Sequence, residues 1–161
     1  MLDKYTVRCF IIAGMATLWA VVSIKLDILT WVGFIGCASY FASKGGKGGL
    51  RDSVIANITG VIWAMVMLNL PSRFDSQYSY IIITAIASFF MVYQAKIKSL
   101  AFTPGTFCGS CCIFATGGDW RGVILALLLG AFIGYMADGV SNYMGNILEK
   151  KGFIKMESPN I

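Results

Sequence analysis

Residues 34–50, FIGCASYFASKGGKGGL, return 73 positions later as residues 107–123, FCGSCCIFATGGDWRGV. Phe34 aligns with Phe107, Gly36 with Gly109, Phe41-Ala42 with Phe114-Ala115, Gly45 with Gly118 and Gly49 with Gly122. The same offset pairs Tyr5 with Tyr78, Lys25 with Lys98, Thr30 with Thr103 and Ala64 with Ala137. The chain reads as one unit written twice. In a membrane protein, two copies usually meet about a pseudo-symmetry axis, and a substrate path forms near it.

The membrane follows from composition. Hydrophobic residues make up 57% of the chain and charged residues 13%, about half the charged fraction of a soluble domain. Mean hydropathy is +0.73. The sequence divides into six apolar segments, at about 8–24, 28–43, 53–70, 79–95, 100–117 and 122–139. A straight span needs about 20 apolar residues. The second and fifth segments fall short of that, are rich in Gly and Cys, and carry the repeated motif. Short, glycine-interrupted segments at matching places in two halves predict bent, broken or half-spanning helices. The first segment has no small-x-small cleavage site before Lys25 and is expected to stay as a helix.

Each copy holds three spans, an odd number, so the second copy enters from the opposite side. The expected fold is an all-α membrane protein of six transmembrane segments, built as two inverted three-helix repeats. Residues 1–145 form a single membrane domain, with repeat one at about 5–70 and repeat two at about 78–143, and 146–161 form a polar tail. With the N-terminus inside, the cytoplasmic side receives Lys4, Arg8, Lys44, Lys47, Arg51, Lys96, Lys98, Lys150, Lys151 and Lys155. Only Lys25, Arg73 and Arg121 lie opposite, a firm positive-inside pattern with both termini cytoplasmic. The net charge of +5 therefore reflects topology and gives no nucleic-acid footprint.

The motif residues supply the pore or repeat-axis candidates: Phe34, Gly36, Phe41, Gly45, Gly49, Phe107, Gly109, Phe114, Gly118 and Gly122. Phenylalanines seven apart share one helix face, so two such faces brought together could form a stacked aromatic constriction or simply fill the core. The glycine pairs Gly45/Gly49, Gly105/Gly109, Gly118/Gly122 and Gly130/Gly134 have the small-xxx-small spacing of close helix packing in lipid. Gly45-Gly46 and Gly117-Gly118 sit where C-caps of the short segments belong. The polar pathway candidates are Asn57, about one turn into its segment, with Ser39, Thr106 and Ser110. Asp138 is expected at the end of the sixth span, within reach of water.

No span centre carries Asp, Glu, Lys, Arg or His, and the chain has no His at all. Ion-coupled pumps keep such groups at mid-membrane, and an enzyme would need a nucleophile and base, so neither class is expected. Cys108 and Cys111 form a CxxC beside Cys112, too few ligands for a closed metal site. No metal or cofactor is expected.

Phe34-Ile-Gly-Cys37, Tyr40-Phe41-Ala42, Gly48-Gly49-Leu50, Gly60-Val-Ile-Trp63-Ala, Gln94-Ala-Lys96, Pro104-Gly-Thr-Phe107 and Gly118-Asp-Trp120 occur in that order. This run resembles the YcdZ-like family of small bacterial inner-membrane proteins, grouped as a domain of unknown function, from about residue 8 to 140. The resemblance implies a multi-pass inner-membrane protein and brings no substrate.

The residues lead to a passive channel or facilitator for a small neutral solute such as urea, ammonia or a short polyol. Its path runs between the second and fifth segments, and its partners are the lipid bilayer, the solute and further copies in a homo-oligomer. A non-conducting scaffold or accessory subunit is the first alternative, and a small anion channel using half-helix N-termini is the second.

Overall fold

Six apolar segments become six α-helices in the computed structural model of the protein, which describes residues 3–74, 76 and 78–152. They are α1 Lys4–Lys25, α2 Thr30–Ala42, α3 Gly46–Asn69, α4 Ser79–Tyr93, α5 Thr103–Ala115 and α6 Trp120–Lys150. All regular structure among the described residues is helical. Four stretches, Lys4–Lys25, Gly46–Arg73, Ser79–Lys96 and Trp120–Lys150, are long and apolar enough to cross a membrane. The chain is a membrane protein.

The two short segments are helices of 13 residues each, and their boundaries differ by the repeat offset at both ends. At 1.5 Å per residue each is about 20 Å long, against a hydrocarbon core of about 30 Å. Local chemistry sets these limits. Pro104 starts the first turn of α5, where a missing N–H costs nothing. Gly117 and Gly118 end it in the left-handed region at φ +64° and +99°, and the Gly118 N–H closes back on the Ile113 carbonyl at 3.0 Å.

The corresponding pair in the first half does something else. Ser43 closes α2 in extended backbone, and Gly45, at φ +69°, is the N-cap of α3. Gly45-Gly46 therefore open a helix instead of capping one. As a result α3 begins at Gly46, seven residues before the expected 53. Likewise α6 runs to Lys150 instead of ending near 139, and crosses the expected domain limit at 145. Lys4 holds that extension: its methylenes cover Gly145 and its ammonium reaches Asn146 at 3.3 Å and Glu149 at 3.9 Å. Residues 153–161 of the expected tail lie outside the described residues.

Packing places four helices at the centre. Val32 of α2, Val61 and Ala64 of α3, Cys112 and Ile113 of α5, and Val123, Ala126 and Leu127 of α6 form the core. The main crossings are α2 on α6 and α5 on α3. Both are backbone contacts across glycine. A Cβ on Gly36 would land on the Leu127 carbonyl, and one on Gly130 on the Gly33 carbonyl. At the other crossing, a Cβ on Gly60 would meet the Thr106 carbonyl and one on Gly109 the Asn57 carbonyl. Such approach lets helices associate in lipid, where apolar burial between them gives little driving force. The outer helices flank these pairs: α1 lies along α6, and α4 lies along α3 with Phe90 stacked on Trp63 at 5.9 Å.

Candidate functional site

The buried polar residues among those described are six hydroxyls (Ser23, Ser39, Ser53, Thr106, Ser110 and Ser141) and one amide, Asn57. None is charged. Asn57 lies eleven residues after Gly46, in the middle of α3 and not one turn from its start, because α3 begins earlier than the apolar pattern suggests. It is 1% exposed. Ser39 donates to its Oδ1 at 2.9 Å, while its Nδ2 finds no partner among the described residues. A buried amide donor left without an acceptor costs about 1–3 kcal/mol.

A separate neutral network joins α3 and α5 through Gln94, just after α4. Gln94 donates to the Thr106 hydroxyl at 3.0 Å and the Thr59 hydroxyl at 3.3 Å, and its carbonyl accepts from the Trp63 indole at 3.1 Å. Gly109 brings α5 onto Asn57, and a Cβ on Gly60 would press on Ser110 N. The four polar pathway candidates thus gather at the junction of α2, α3 and α5. Gln94 and Trp63 lie outside the candidate set, since Gln94 sits at the end of an apolar run and Trp63 within one.

A second polar site adjoins the first. Tyr40, next to Ser39, is fully buried, donates to Asp138 Oδ2 at 3.0 Å and accepts from the Gly46 N–H at 2.9 Å. Asp138 Oδ1 pairs with Arg8 Nη2 at 3.1 Å, and the carboxylate is only 16% exposed. Asp138 therefore lies inside α6 rather than at its end and is tied to α1 and α2, while the pocket it lines keeps it within reach of water as expected. Around it lies a polar pocket of about 340 Å³ lined by Arg8, Ser43, Lys44, Gly45, Asp138 and Asn142. Lys44 leans toward Asp52 at 3.7 Å.

The phenylalanine candidates go elsewhere. Phe34, Phe107 and Phe114 are 41%, 43% and 39% exposed and project from the outside of the chain, while Phe41 is half-buried and edges onto Tyr40 at 5.3 Å. Gly36 and Gly109 are the backbone contacts described above. Gly49 and Gly122 instead pack on their own helix entries, at Ser43 and Asp119, and Gly118 and Gly45 serve the turns. The five cysteines are free, with Cys111 exposed and Cys112 buried.

Residues 10–142 match the family described as a protein of unknown function, DUF1097. The chain belongs to this family. It is 41% identical over 124 residues to the inner membrane protein YcdZ of Escherichia coli K12, covering 75% of this chain and 76% of that one. Its identity to the YcdZ of Salmonella typhimurium LT2 is 40% over 125 residues, covering 75% and 77%. The uncharacterized protein YahC of Escherichia coli K12 is 30% identical over 135 residues, covering 76% and 82%. No solved structure matches. The match covers α2 to α5 entirely and most of α1 and α6, so both polar sites except Arg8 lie within it.

Proposed function

We propose that the chain is a multi-pass inner-membrane protein with cytoplasmic termini and inverted repeats, acting as a passive conduit for a small neutral solute of the urea, ammonia or short-polyol class. The observation that carries this reading is the uncharged polar belt of Ser39, Asn57, Thr106, Ser110 and Gln94 through the middle of the bundle. Hydroxyls and amides can exchange hydrogen bonds with a neutral solute. An ion would meet no compensating charge there, at a cost of roughly 2.5–3.5 kcal/mol or more. The spare Asn57 donor suits a carbonyl or hydroxyl oxygen in transit. Ser39 and Tyr40 are neighbours, so the belt begins where the Asp138 pocket ends.

The inverted arrangement draws support from the matched boundaries of α2 and α5 and from Gly36 and Gly109, one repeat apart, each seated on a carbonyl of the opposite half. The ends of α1 and α6 meet at Lys4 and Glu149, consistent with both termini on one side. In this reading the outward Phe34, Phe107 and Phe114 belong to contacts between copies in a homo-oligomer. The same outward placement favours the second reading, a non-conducting scaffold, since rings facing out gate nothing within one chain.

Stopped-flow light scattering on proteoliposomes challenged with urea, glycerol and ammonium separates the two. The conduit requires solute-selective swelling that Asn57→Leu abolishes and that Phe34→Leu leaves unchanged. Wild-type rates equal to empty liposomes for every solute would leave the scaffold.

A further inference from the structure

A large cavity lies on the outside of the bundle and shares no residue with the polar belt. It is a groove of about 680 Å³ between α3 and the start of α6. On α3 its wall is a single helical face, from Ile58 through Val61 and Met65 to Leu70, followed one turn later by Arg73. Trp120 and Ile124 of α6 form the other wall.

Three features specify what fits. Depth is the first. The apolar wall from Ile58 to Leu70 rises roughly 18 Å at 1.5 Å per residue, close to half of a hydrocarbon core of about 30 Å. The groove therefore has the length of one leaflet, with Arg73 at headgroup level. Lining is the second. The one polar side chain along the wall short of Arg73, Asn69, folds back to donate to the Met65 carbonyl at 2.7 Å, so the wall presents hydrocarbon. Charge is the third. Arg121 lies over the Trp120 ring at 5.1 Å, and Arg73 stands on the facing wall. Among the described residues, the face holding the ends of α1, α3 and α5 has three Lys or Arg, namely Lys25, Arg73 and Arg121. Two of the three flank this groove. Asp119, next to Trp120, is turned into α6, where it accepts from the Gly122 N–H at 3.0 Å.

We propose that this groove binds one phospholipid, an acyl chain lying against Ile58–Leu70 and the phosphate held between Arg73 and Arg121. A guanidinium matches phosphate oxygens with paired N–H donors, and an interfacial Trp sits at the glycerol level. A helix from a second copy would fill the apolar wall equally well but would leave the two guanidiniums without an anion.

The test is native mass spectrometry of the full chain in detergent, titrated with phosphatidylglycerol and, separately, with diacylglycerol carrying the same tails. Wild type should retain one phosphatidylglycerol per chain at least tenfold more tightly than diacylglycerol, with inorganic phosphate unable to compete. Arg73→Gln with Arg121→Gln should remove that tenfold preference while leaving diacylglycerol binding unchanged. Met65→Trp, which fills the groove, should weaken both lipids, and a thermal melt checks that each variant is folded. Equal retention of the two lipids by wild type, or unchanged phosphatidylglycerol retention in the folded variants, overturns the proposal. So does a lipid-free dimer that Met65→Trp dissociates, which would make the groove a protein interface.

Discussion

The two backbone crossings, α2 on α6 and α5 on α3, use the same device and are tied down differently. In each, a short helix presents glycine or backbone to a long helix of the other half: Gly33 and Gly36 against Leu127 and Gly130, and Thr106 and Gly109 against Asn57 and Gly60. Beyond the crossing they diverge. The first is fastened at one end of the bundle by a charged tie, Arg8 to Asp138 to Tyr40. The second is fastened by neutral groups, Trp63 to Gln94 to Thr106. Position 138 is 73 residues after Met65, and Tyr40 corresponds to Ile113, so neither Asp138 nor Tyr40 has a polar counterpart at the repeat offset. The difference teaches that one backbone device can serve two crossings whose polar fastenings are chemically unlike. The charged tie lines a polar pocket, and the neutral one joins α3 and α5 through Gln94.

Glycine replacement gives the largest expected effects and the direct way to break the equivalence. Gly60→Val and Gly130→Val each drive a side chain into a carbonyl that cannot yield. Overpacking of this kind costs about 1–3 kcal/mol, occasionally more. Both variants should melt well below wild type in detergent and by similar amounts. Gly14→Val, with nothing within 4 Å of its Cβ, should leave the melt in place. A large loss for one crossing and none for the other would mean that only one of them holds the bundle together.

The glycine spacing also measures how much could be read in advance. Gly105/Gly109 and Gly130/Gly134 pack helix on helix as the four-residue spacing suggests, but Gly45/Gly49 and Gly118/Gly122 have the same spacing and serve turns and helix entries. Spacing cannot tell these apart, because a glycine has no side chain to reveal which surface approaches it. Segment number and the two short helices were legible because hydropathy and Pro/Gly punctuation act locally. The start of α3 was not, since Gly46–Asp52 is polar and glycine-rich and becomes helical only as a continuation of the apolar turns beyond it. The ties of Asp138 and Gln94 were not legible for the complementary reason: their partners Arg8 and Trp63 lie 130 and 31 residues away.

The ties themselves should give intermediate effects that sharpen the contrast. Asp138→Asn removes a charge-assisted bond and leaves Arg8 without its carboxylate, an expected loss of about 1.5–3 kcal/mol, discounted toward the lower figure because Arg8 is partly solvated. Gln94→Leu removes neutral bonds worth about 0.5–1.5 kcal/mol each. Salt separates them. In 1 M salt, where the screening length falls to about 3 Å, the Asp138→Asn loss relative to wild type should shrink. The Gln94→Leu loss should not. Equal salt sensitivity would show that the two ties do not differ in the way their chemistry indicates.

The smallest effect is expected where the halves remain alike. Phe34 and Phe107 occupy equivalent positions on α2 and α5, and both project outward with about two-fifths of their surface exposed, 41% and 43%. Phe34→Leu and Phe107→Leu keep an apolar side chain on that outer surface and touch no polar tie. Each should shift stability by no more than about 0.5 kcal/mol, and the pair should be additive, because an outward ring has little local structure to disturb. The informative readout is assembly. If copies associate through these faces, size-exclusion chromatography with light scattering should show the double variant shifting toward the monomer while its melt is unchanged. If association and melt both stay at wild-type values, the rings face lipid alone, and the likeness of the two halves at this surface has no use in assembly.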